Sequence, residues 1–270
     1  MPEPPLADLE LLVRIAHAVQ GVVRQSRGSP HRGDMVGMGA DGSPTEEVDR
    51  IAEGRVLSIL ESEGVDWNVL SEEIGTVQRG GARTLVVDPI DGSHNVLRGM
   101  PFATISLALG SGTLSGVDVG VVHDLFTGTT FWASRGGGAF CDGLPIRVRP
   151  WELRRELFFV NLGRHSTSRA LRLAERGRRI RSLGCASLEM VMVAQGAADA
   201  YLFDNDTPNR NLRVTDIAAA FRIVGEAGGF VGDASFGSIE NFPLQLGTHT
   251  SVCAWGDAAF PSSVHGPEAA

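Results

Sequence analysis

Eight consecutive residues, Asp88-Pro89-Ile90-Asp91-Gly92-Ser93-His94-Asn95, hold the densest chemistry in the chain. They follow the β-branched run Thr84-Leu85-Val86-Val87, which reads as a short buried strand. Two carboxylates three residues apart therefore sit where a strand ends, with Pro89 stiffening the turn. Gly92 and Ser93 come next and open a helix. Carboxylates hold hard cations through oxygen, and free amides at a helix start hold phosphate oxygens. Cation ligands beside a phosphate cradle point to metal-assisted phosphate chemistry.

Two further acids fall at the ends of expected elements. Glu72, followed by Glu73, closes a strand read over Trp67 to Leu70. Asp216 lies in the first turn of a helix read over Val214 to Ala227. It flanks the apolar stripe Val214, Ile217, Ala218, Phe221 and Val224, so its carboxylate can leave the core and face a cleft. Each acid has an ordinary explanation. A helix dipole alone favours an acid in the first turn by roughly 0.3–1 kcal/mol, a Glu-Glu pair after a strand is usually solvated, and Asp-Pro usually marks a turn. Their combination is more specific than any one of them.

Composition narrows the chemistry further. A net charge of -8 and a pI near 5.4 argue against a nucleic-acid-binding face. With 270 residues, 43% of them hydrophobic, the chain is long enough for a substantial core. No segment reaches the roughly 18 apolar residues of a membrane span, so no membrane partner is expected. The acidic, proline-bearing start is unlike a secretory signal. Three scattered cysteines (Cys141, Cys185, Cys253) without ligand spacing fit a reduced, cytoplasmic setting. The chain contains no lysine. Schiff-base chemistry, pyridoxal-phosphate attachment and a Walker-type phosphate loop all require one, and all are excluded.

The elements that must position these residues can be read in order. Leu6 to Gln25 forms a helix, Ser26 to Pro44 a glycine-rich mobile loop or loose hairpin, and Glu46 to Glu61 a second helix capped by Thr45. After the central motif come strand-like runs at Phe102–Leu109, Gly116–His123 and Thr129–Ala133, with a hairpin turn at Cys141-Asp142-Gly143. Beyond it, strands at Leu157–Asn161, Ile180–Leu183 and Ala200–Phe203 alternate with helices at Thr167–Arg176, Leu188–Gln195 and Val214–Ala227. The tail from Pro261 to Ala270 reads as frayed.

The series Ser71-Glu72-Glu73, Leu85 to Asn95, and Arg213-Val214-Thr215-Asp216 through Glu226-Ala227-Gly228-Gly229 resembles the inositol monophosphatase family of Mg²⁺-dependent, lithium-sensitive phosphatases. Gly37-Met38-Gly39-Ala40-Asp41-Gly42 looks closest to its archaeal branch, whose members often accept both inositol monophosphates and fructose 1,6-bisphosphate. The resemblance implies an α+β and α/β fold, a layered αβαβα sandwich. Its N-terminal domain would span residues 1–144 and its C-terminal domain residues 145–270, with the active site between them. It further implies two or three Mg²⁺ ions. Glu72, Asp88 and the Ile90 carbonyl would hold one; Asp88, Asp91 and Asp216 would hold a second. A metal-activated water would attack the phosphate, oriented by Ser93, which stands where the family has threonine, and by Asp49, with Glu47 the alternative. Asp91, Gly92, Ser93 and Asp216 would contact substrate, and a homodimer is implied.

The organic half of the substrate is read less directly. Ser187, in Gly184-Cys185-Ala186-Ser187, could meet ring hydroxyls or merely cap a helix. Arg27 or Arg32 could replace a loop lysine of the family. Arg164 or Arg169 could hold a second phosphate, arginine being a bidentate phosphate ligand. Two alternatives stand beside the sugar phosphatase: a non-catalytic sugar-phosphate-binding or scaffold protein of the same fold, and a nucleotide 3′-phosphatase. A Ser93–His123–Asp124 hydrolase triad is set aside because Ser93 lacks a G-x-S-x-G setting, and His94 reads as a helix-surface residue.

Overall fold

The computed structural model describes residues 6–26, 29, 31–40, 42, 44–152 and 154–261. The chain opens with α1 (Leu6–Ser26), a hairpin of β1 (Met35–Met38) and β2 (Pro44–Glu46), and α2 (Glu47–Ser62). Next come β3 (Asn68–Ser71), β4 (Gly75–Val77), β5 (Thr84–Asp91) and the short α3 (Ser93–Arg98). A meander follows of β6 (Thr104–Gly110), β7 (Val117–Asp124), β8 (Thr130–Ser134), β9 (Gly138–Cys141) and β10 (Leu144–Ile146). The second half contains β11 (Leu157–Val160), α4 (Ser168–Arg176), β12 (Arg179–Arg181), α5 (Ala186–Ala194) and β13 (Ala200–Phe203). It ends with α6 (Val214–Glu226), β14 (Phe230–Gly232) and β15 (Val252–Trp255).

Strands β3 to β10 build one eight-stranded sheet, ordered β10-β9-β8-β7-β6-β5-β3-β4, and β11 to β15 a five-stranded sheet, ordered β12-β11-β13-β15-β14. Period-two alternation sends consecutive residues to opposite faces, and this sets the layers. Leu85 and Val87 of β5 pack with Ile15 and Val19 of α1 and Val48 and Val56 of α2. Val86, between them, packs on the opposite face with Val191 of α5 and Ile217 of α6. Those helices also meet Phe159 and Tyr201 of the smaller sheet. Its outer face, Phe158, Val160 and Leu202, is covered by Ala170 and Leu173 of α4. The result is the expected five-layer αβαβα sandwich.

Helix α6 packs tightly where it crosses β7. A Cβ on Gly120 would lie 2.6 Å from the Ala219 carbonyl oxygen, so only glycine lets the helix seat there. Because α6 also carries Asp216, this seating sets the height of one acid of the site.

Three local expectations change. Thr45 does not cap α2: the helix begins at Glu47, and Thr45 pairs with Gly37 in the β1–β2 hairpin while its hydroxyl donates to Glu73. The first amides of α2 donate instead to the carbonyls of Asp34 and Arg32, at 3.0 and 3.2 Å. Strand β5 does not stop at Val87 but runs to Asp91. The helix read from Leu188 already begins at Ala186. Of the tail read as frayed, residues 262–270 lie outside the described residues.

Gly120→Ala should lower the melting temperature by roughly 2–12 °C, since overpacking costs about 1–3 kcal/mol and each kcal/mol is about 2–4 °C at this size. An unchanged melting curve would show that α6 can move away freely.

Candidate active site

The bulged end of β5 is the centre of the site. Asp88 pairs with Ser106 of β6 and Asp91 with Thr104, so three steps along β5 oppose two along β6. Pro89 has no N–H to give a ladder, and the extra residue is accommodated as a bulge. On a regular strand, residues three apart face opposite ways. The bulge is what allows both carboxylates to reach one cleft. Gly92 then turns at φ 88°, where a Cβ would lie 2.7 Å from the Phe102 carbonyl oxygen. Ser93 and His94, in the first turn of α3, have no carbonyl within the helix to receive their amides.

Two other elements bring their acids to the same place. Glu72 leaves β3 on a tight turn that α2 braces: Glu53 accepts the Ser71 hydroxyl and the Ile74 amide, the latter at 3.2 Å. Asp216 sits at the start of α6, its Oδ2 accepting the Arg213 amide at 2.8 Å. Carboxylate oxygens of Glu72, Asp88 and Asp216 lie within 4.8 Å of one another, at 9%, 2% and 6% exposure. All three sources are oxygen, which suits a hard divalent cation.

Electrostatics follows from this crowding. Burial, then Asp88 and Asp216, hold the Glu72 carboxyl well above the usual range. Burial, then Asp91 and Asp216, do the same to Asp88. Asp91 is pushed up only to about 6, because hydrogen bonds from Ser187 offset part of the burial. Asp49 rises to about 8 through burial and the nearby Glu46 and Glu73, and neither of its oxygens has a geometrically sound hydrogen bond. Arg213 supplies a fixed positive charge, its Nη2 lying 2.7 Å from Glu72 Oε2 and 3.4 Å from Asp216 Oδ1.

The cleft has a volume of about 390 Å³, and Glu72, Asp88, Ile90, Asp91, Gly92, Ser93 and Asp216 all line it. Asp49 does not line the cleft; it is buried on α2, one turn before Glu53 and on the same helix face. Glu47 faces elsewhere, gripped by Arg50 at 2.6 and 2.7 Å. Arg164 lines the wider outer part of the cleft with His165, Arg210 and His249. Arg32 donates to the Leu97 carbonyl at 3.0 Å, and Arg27 lies outside the described residues.

Two expectations for the organic half are corrected. Ser187 does not face the cleft. It is fully buried, its amide and hydroxyl both donate to Asp91 Oδ2 at 2.6 Å, and its oxygen also meets Thr104 Oγ1 at 2.6 Å. With the Ala186 amide at 3.2 Å, it ties Asp91 to the N-terminus of α5. Arg169 is not in the cleft either; it pairs with Asp204 at 3.3 Å and lines a separate cavity. The triad set aside on sequence has no geometry: His123 is buried in β7 against Thr130 and His17, and Asp124 accepts the Phe126 and Thr127 amides.

Sequence reasoning passed over several cleft residues: Glu46, Glu73, Glu189, Tyr201 and Arg213. Arg213 could have been found from its place three residues before Asp216, where an N-cap residue meets its N3 acid. Asn95 acts as a clamp, its amide nitrogen donating to the Phe102 and Leu183 carbonyls at 2.8 Å each. Among the described residues no helix is long and apolar enough to cross a membrane.

This protein is a phosphoric monoester hydrolase of a metal-dependent family, a class that its buried acid cluster between alternating layers fits. A model of the inositol monophosphatase family matches residues 7–258, and the chain belongs to that family. The fructose-1,6-bisphosphatase/inositol-1-monophosphatase of Methanothermobacter thermautotrophicus is 34% identical over 261 residues, covering 91% of this chain and 90% of its own. A bifunctional NADP phosphatase/NAD kinase of Methanococcus maripaludis is 32% identical over 90% of this chain, which spans 46% of that longer protein. Among solved structures, a hypothetical protein of Pyrococcus horikoshii with similarities to inositol-1 monophosphatase superposes with a TM-score of 0.81, at 25% identity and over 96% of each chain.

Glu189 provides a test of the electrostatics. Burial pushes it up to about 8 from 4.5, while it accepts the Leu183 amide at 2.6 Å. A carboxyl whose pKa rises on folding favours the fold fully below its unfolded value, and that contribution fades as pH climbs through the folded one. Metal-free protein should thus lose stability from about pH 4.5 to about pH 8. Glu189→Gln, neutral throughout and still an acceptor, should melt roughly 2–4 °C higher at about pH 9, equivalent to about 1 kcal/mol. Parallel melting-temperature profiles for the two proteins would refute this.

Proposed function

We propose that this protein is a Mg²⁺-dependent phosphomonoesterase acting on a sugar or polyol phosphate, fructose 1,6-bisphosphate or an inositol monophosphate. The observation that carries the reading is the convergence of Glu72, Asp88 and Asp216 from three separate segments beside the Gly92–Ser93 turn. Glu72, Asp88 and the Ile90 carbonyl would hold one ion, and Asp88, Asp91 and Asp216 the other. Asp91 stands outside the tight group of three and has oxygens engaged by α5, so it offers only its remaining lone pairs. Bound Mg²⁺ would supply charge stabilisation at the phosphoryl oxygens and acidify water.

The chain's own groups do the rest. The Gly92 and Ser93 amides hold phosphate oxygens at the start of α3. The Ser93 hydroxyl would orient the attacking water, and Asp49, held protonated near neutrality by burial and its acidic neighbours, would accept a proton once bound cations offset that crowding. No protein nucleophile is required. Arg164, with Arg210, His165 and His249 in the outer cleft, favours a substrate carrying a second phosphate. We further propose that residues 1–144 and 145–270 form two domains, one per sheet, and that the protein works as a cytoplasmic homodimer. Similarity to an NADP phosphatase supports a second reading, removal of a nucleotide phosphate from the same cleft.

The deciding experiment compares kcat/KM for fructose 1,6-bisphosphate, inositol 1-phosphate, NADP and adenosine 3′,5′-bisphosphate at one Mg²⁺ concentration. We expect the first two to lead by tenfold or more. Leadership by NADP or the adenosine bisphosphate would replace the sugar reading, and Mg²⁺ and ligand binding without turnover would indicate a non-catalytic binder. Asp88→Asn should abolish turnover while the protein still folds. It is a cleaner probe than Asp91→Asn, which would also set an amide against the α5 donors. Arg164→Ala should cut kcat/KM for the bisphosphate about tenfold, the value of one charge-assisted bond, and leave inositol 1-phosphate unchanged. Equal losses for both substrates would remove Arg164 from the second-phosphate role.

A further inference from the structure

The small sheet ends at the cleft and brings to it groups that no metal or phosphate contact uses. Strands β11 and β13 run parallel, with Phe159 opposite Tyr201 and Val160 opposite Leu202. The Asn161 backbone amide then donates to the Leu202 carbonyl at 2.9 Å, which sets Asn161 beside the end of β13. Alternation turns Phe158, Val160 and Leu202 towards α4, and Phe159 and Tyr201 towards the middle helices. Asn161, Tyr201 and Phe203 line the cleft together. The carboxyl ends of parallel strands are where open α/β sheets take up ligands.

Tyr201 is the anomaly of this wall. Its side chain is wholly buried, yet its hydroxyl has no hydrogen-bond partner among the described residues. A buried hydroxyl left unpartnered is destabilising, and folded proteins satisfy nearly all such groups. Burial, then the nearby Glu189, Asp91 and Asp216, hold the phenol well above its usual range, so it keeps its proton. Those three acids also line the cleft, and the hydroxyl end of the ring lies among them. Two of them are engaged elsewhere. Asp91 accepts the Ala186 and Ser187 amides and the Ser187 hydroxyl, and Glu189 accepts the Leu183 amide. The partner that Tyr201 lacks therefore comes from whatever fills the cleft.

The surroundings select that partner. An anionic group would meet the three acids, and an apolar group would leave the phenol unmet. A polyol hydroxyl both accepts and donates. The partly buried Phe203 offers an apolar face to the C–H side of a ring, and Asn161 adds an amide. We propose that Tyr201 determines specificity by donating a hydrogen bond to a ring hydroxyl of the substrate, so that the cleft prefers polyhydroxylated phosphate esters to bare ones. This rests on the reading of the cleft as a sugar or polyol phosphatase site and names the group that recognises the alcohol half.

Tyr201→Phe removes one oxygen and keeps the ring. Steady-state kinetics of the full chain in Mg²⁺ would compare inositol 1-phosphate with cyclohexyl phosphate, the same ring without hydroxyls. The variant should raise KM for inositol 1-phosphate about fivefold, the worth of one neutral hydrogen bond, with kcat changed by less than about twofold. Both constants for cyclohexyl phosphate should stay as they are. The metal-free variant should melt at the same temperature or higher, because no partnered group is lost. Equal changes for the two esters would overturn the proposal, and so would an unchanged KM for inositol 1-phosphate, the result if water serves the hydroxyl. If neither ester turns over, the catalytic reading is judged separately with fructose 1,6-bisphosphate, and calorimetric binding of the same two esters decides the role of Tyr201. Weaker binding of inositol 1-phosphate alone would support it; equal effects on both esters, or no binding of either, would overturn it.

Discussion

Carboxylates crowded into a desolvated space cannot all ionise unless positive charge joins them, and much of this structure answers to that constraint. Burial and the neighbouring carboxylates of Asp88 and Asp216 raise the affinity of Glu72 for protons, and burial with Asp91, Asp216 and Asp49 does the same to Asp88. Arg213 offsets part of this effect from within the chain. One guanidinium among so many acids leaves the cleft negative, the condition under which a divalent cation is held by oxygen ligands. The surrounding hydrogen bonds keep the acids together despite their repulsion. Glu53 braces the turn of Glu72, the Arg213 amide holds Asp216, and the start of α5 grips Asp91.

The bulge in β5 is the backbone counterpart of that electrostatic arrangement. A proline that cannot pair and a glycine pressed against the Phe102 carbonyl end a central strand abruptly. The interruption occurs beside the helices that carry Asp216 and Ser187, where an open edge can serve a ligand. Asn95 fastens α3 to both the segment leading into β6 and the turn before α5. The acids of the cleft and the Gly92–Ser93 turn are thereby fixed to the core of the large sheet.

The small sheet shows how one strand can serve two environments. Alternation along β13 sends Tyr201 towards acids and Leu202 towards arginines. Asp204, at the strand's end, accepts the Thr167 hydroxyl at 2.6 Å and meets Arg169, joining α4 to that strand. The arginines of β12, an edge strand, also blunt a surface that could pair with another chain.

Sequence by itself determined what depends on neighbours along the chain. The stripe of α1, the limits of β13, and the Asp142-Gly143 turn with its positive φ values of 48° and 80° all follow from local pattern and turn chemistry. The acids were legible for the same reason, since their types and spacing are written in short motifs. Tertiary structure alone decided which groups meet. It took Ser187 out of the cleft by pairing it with Asp91, moved Arg169 to the opposite face of a sheet, and gave Thr45 to Glu73 instead of a helix end. It also brought Arg213 among the acids and paired β14 with β15 across a long irregular stretch. These outcomes depend on which faces pack across the layers, and residues far apart in the chain share the burial and charge that settle them.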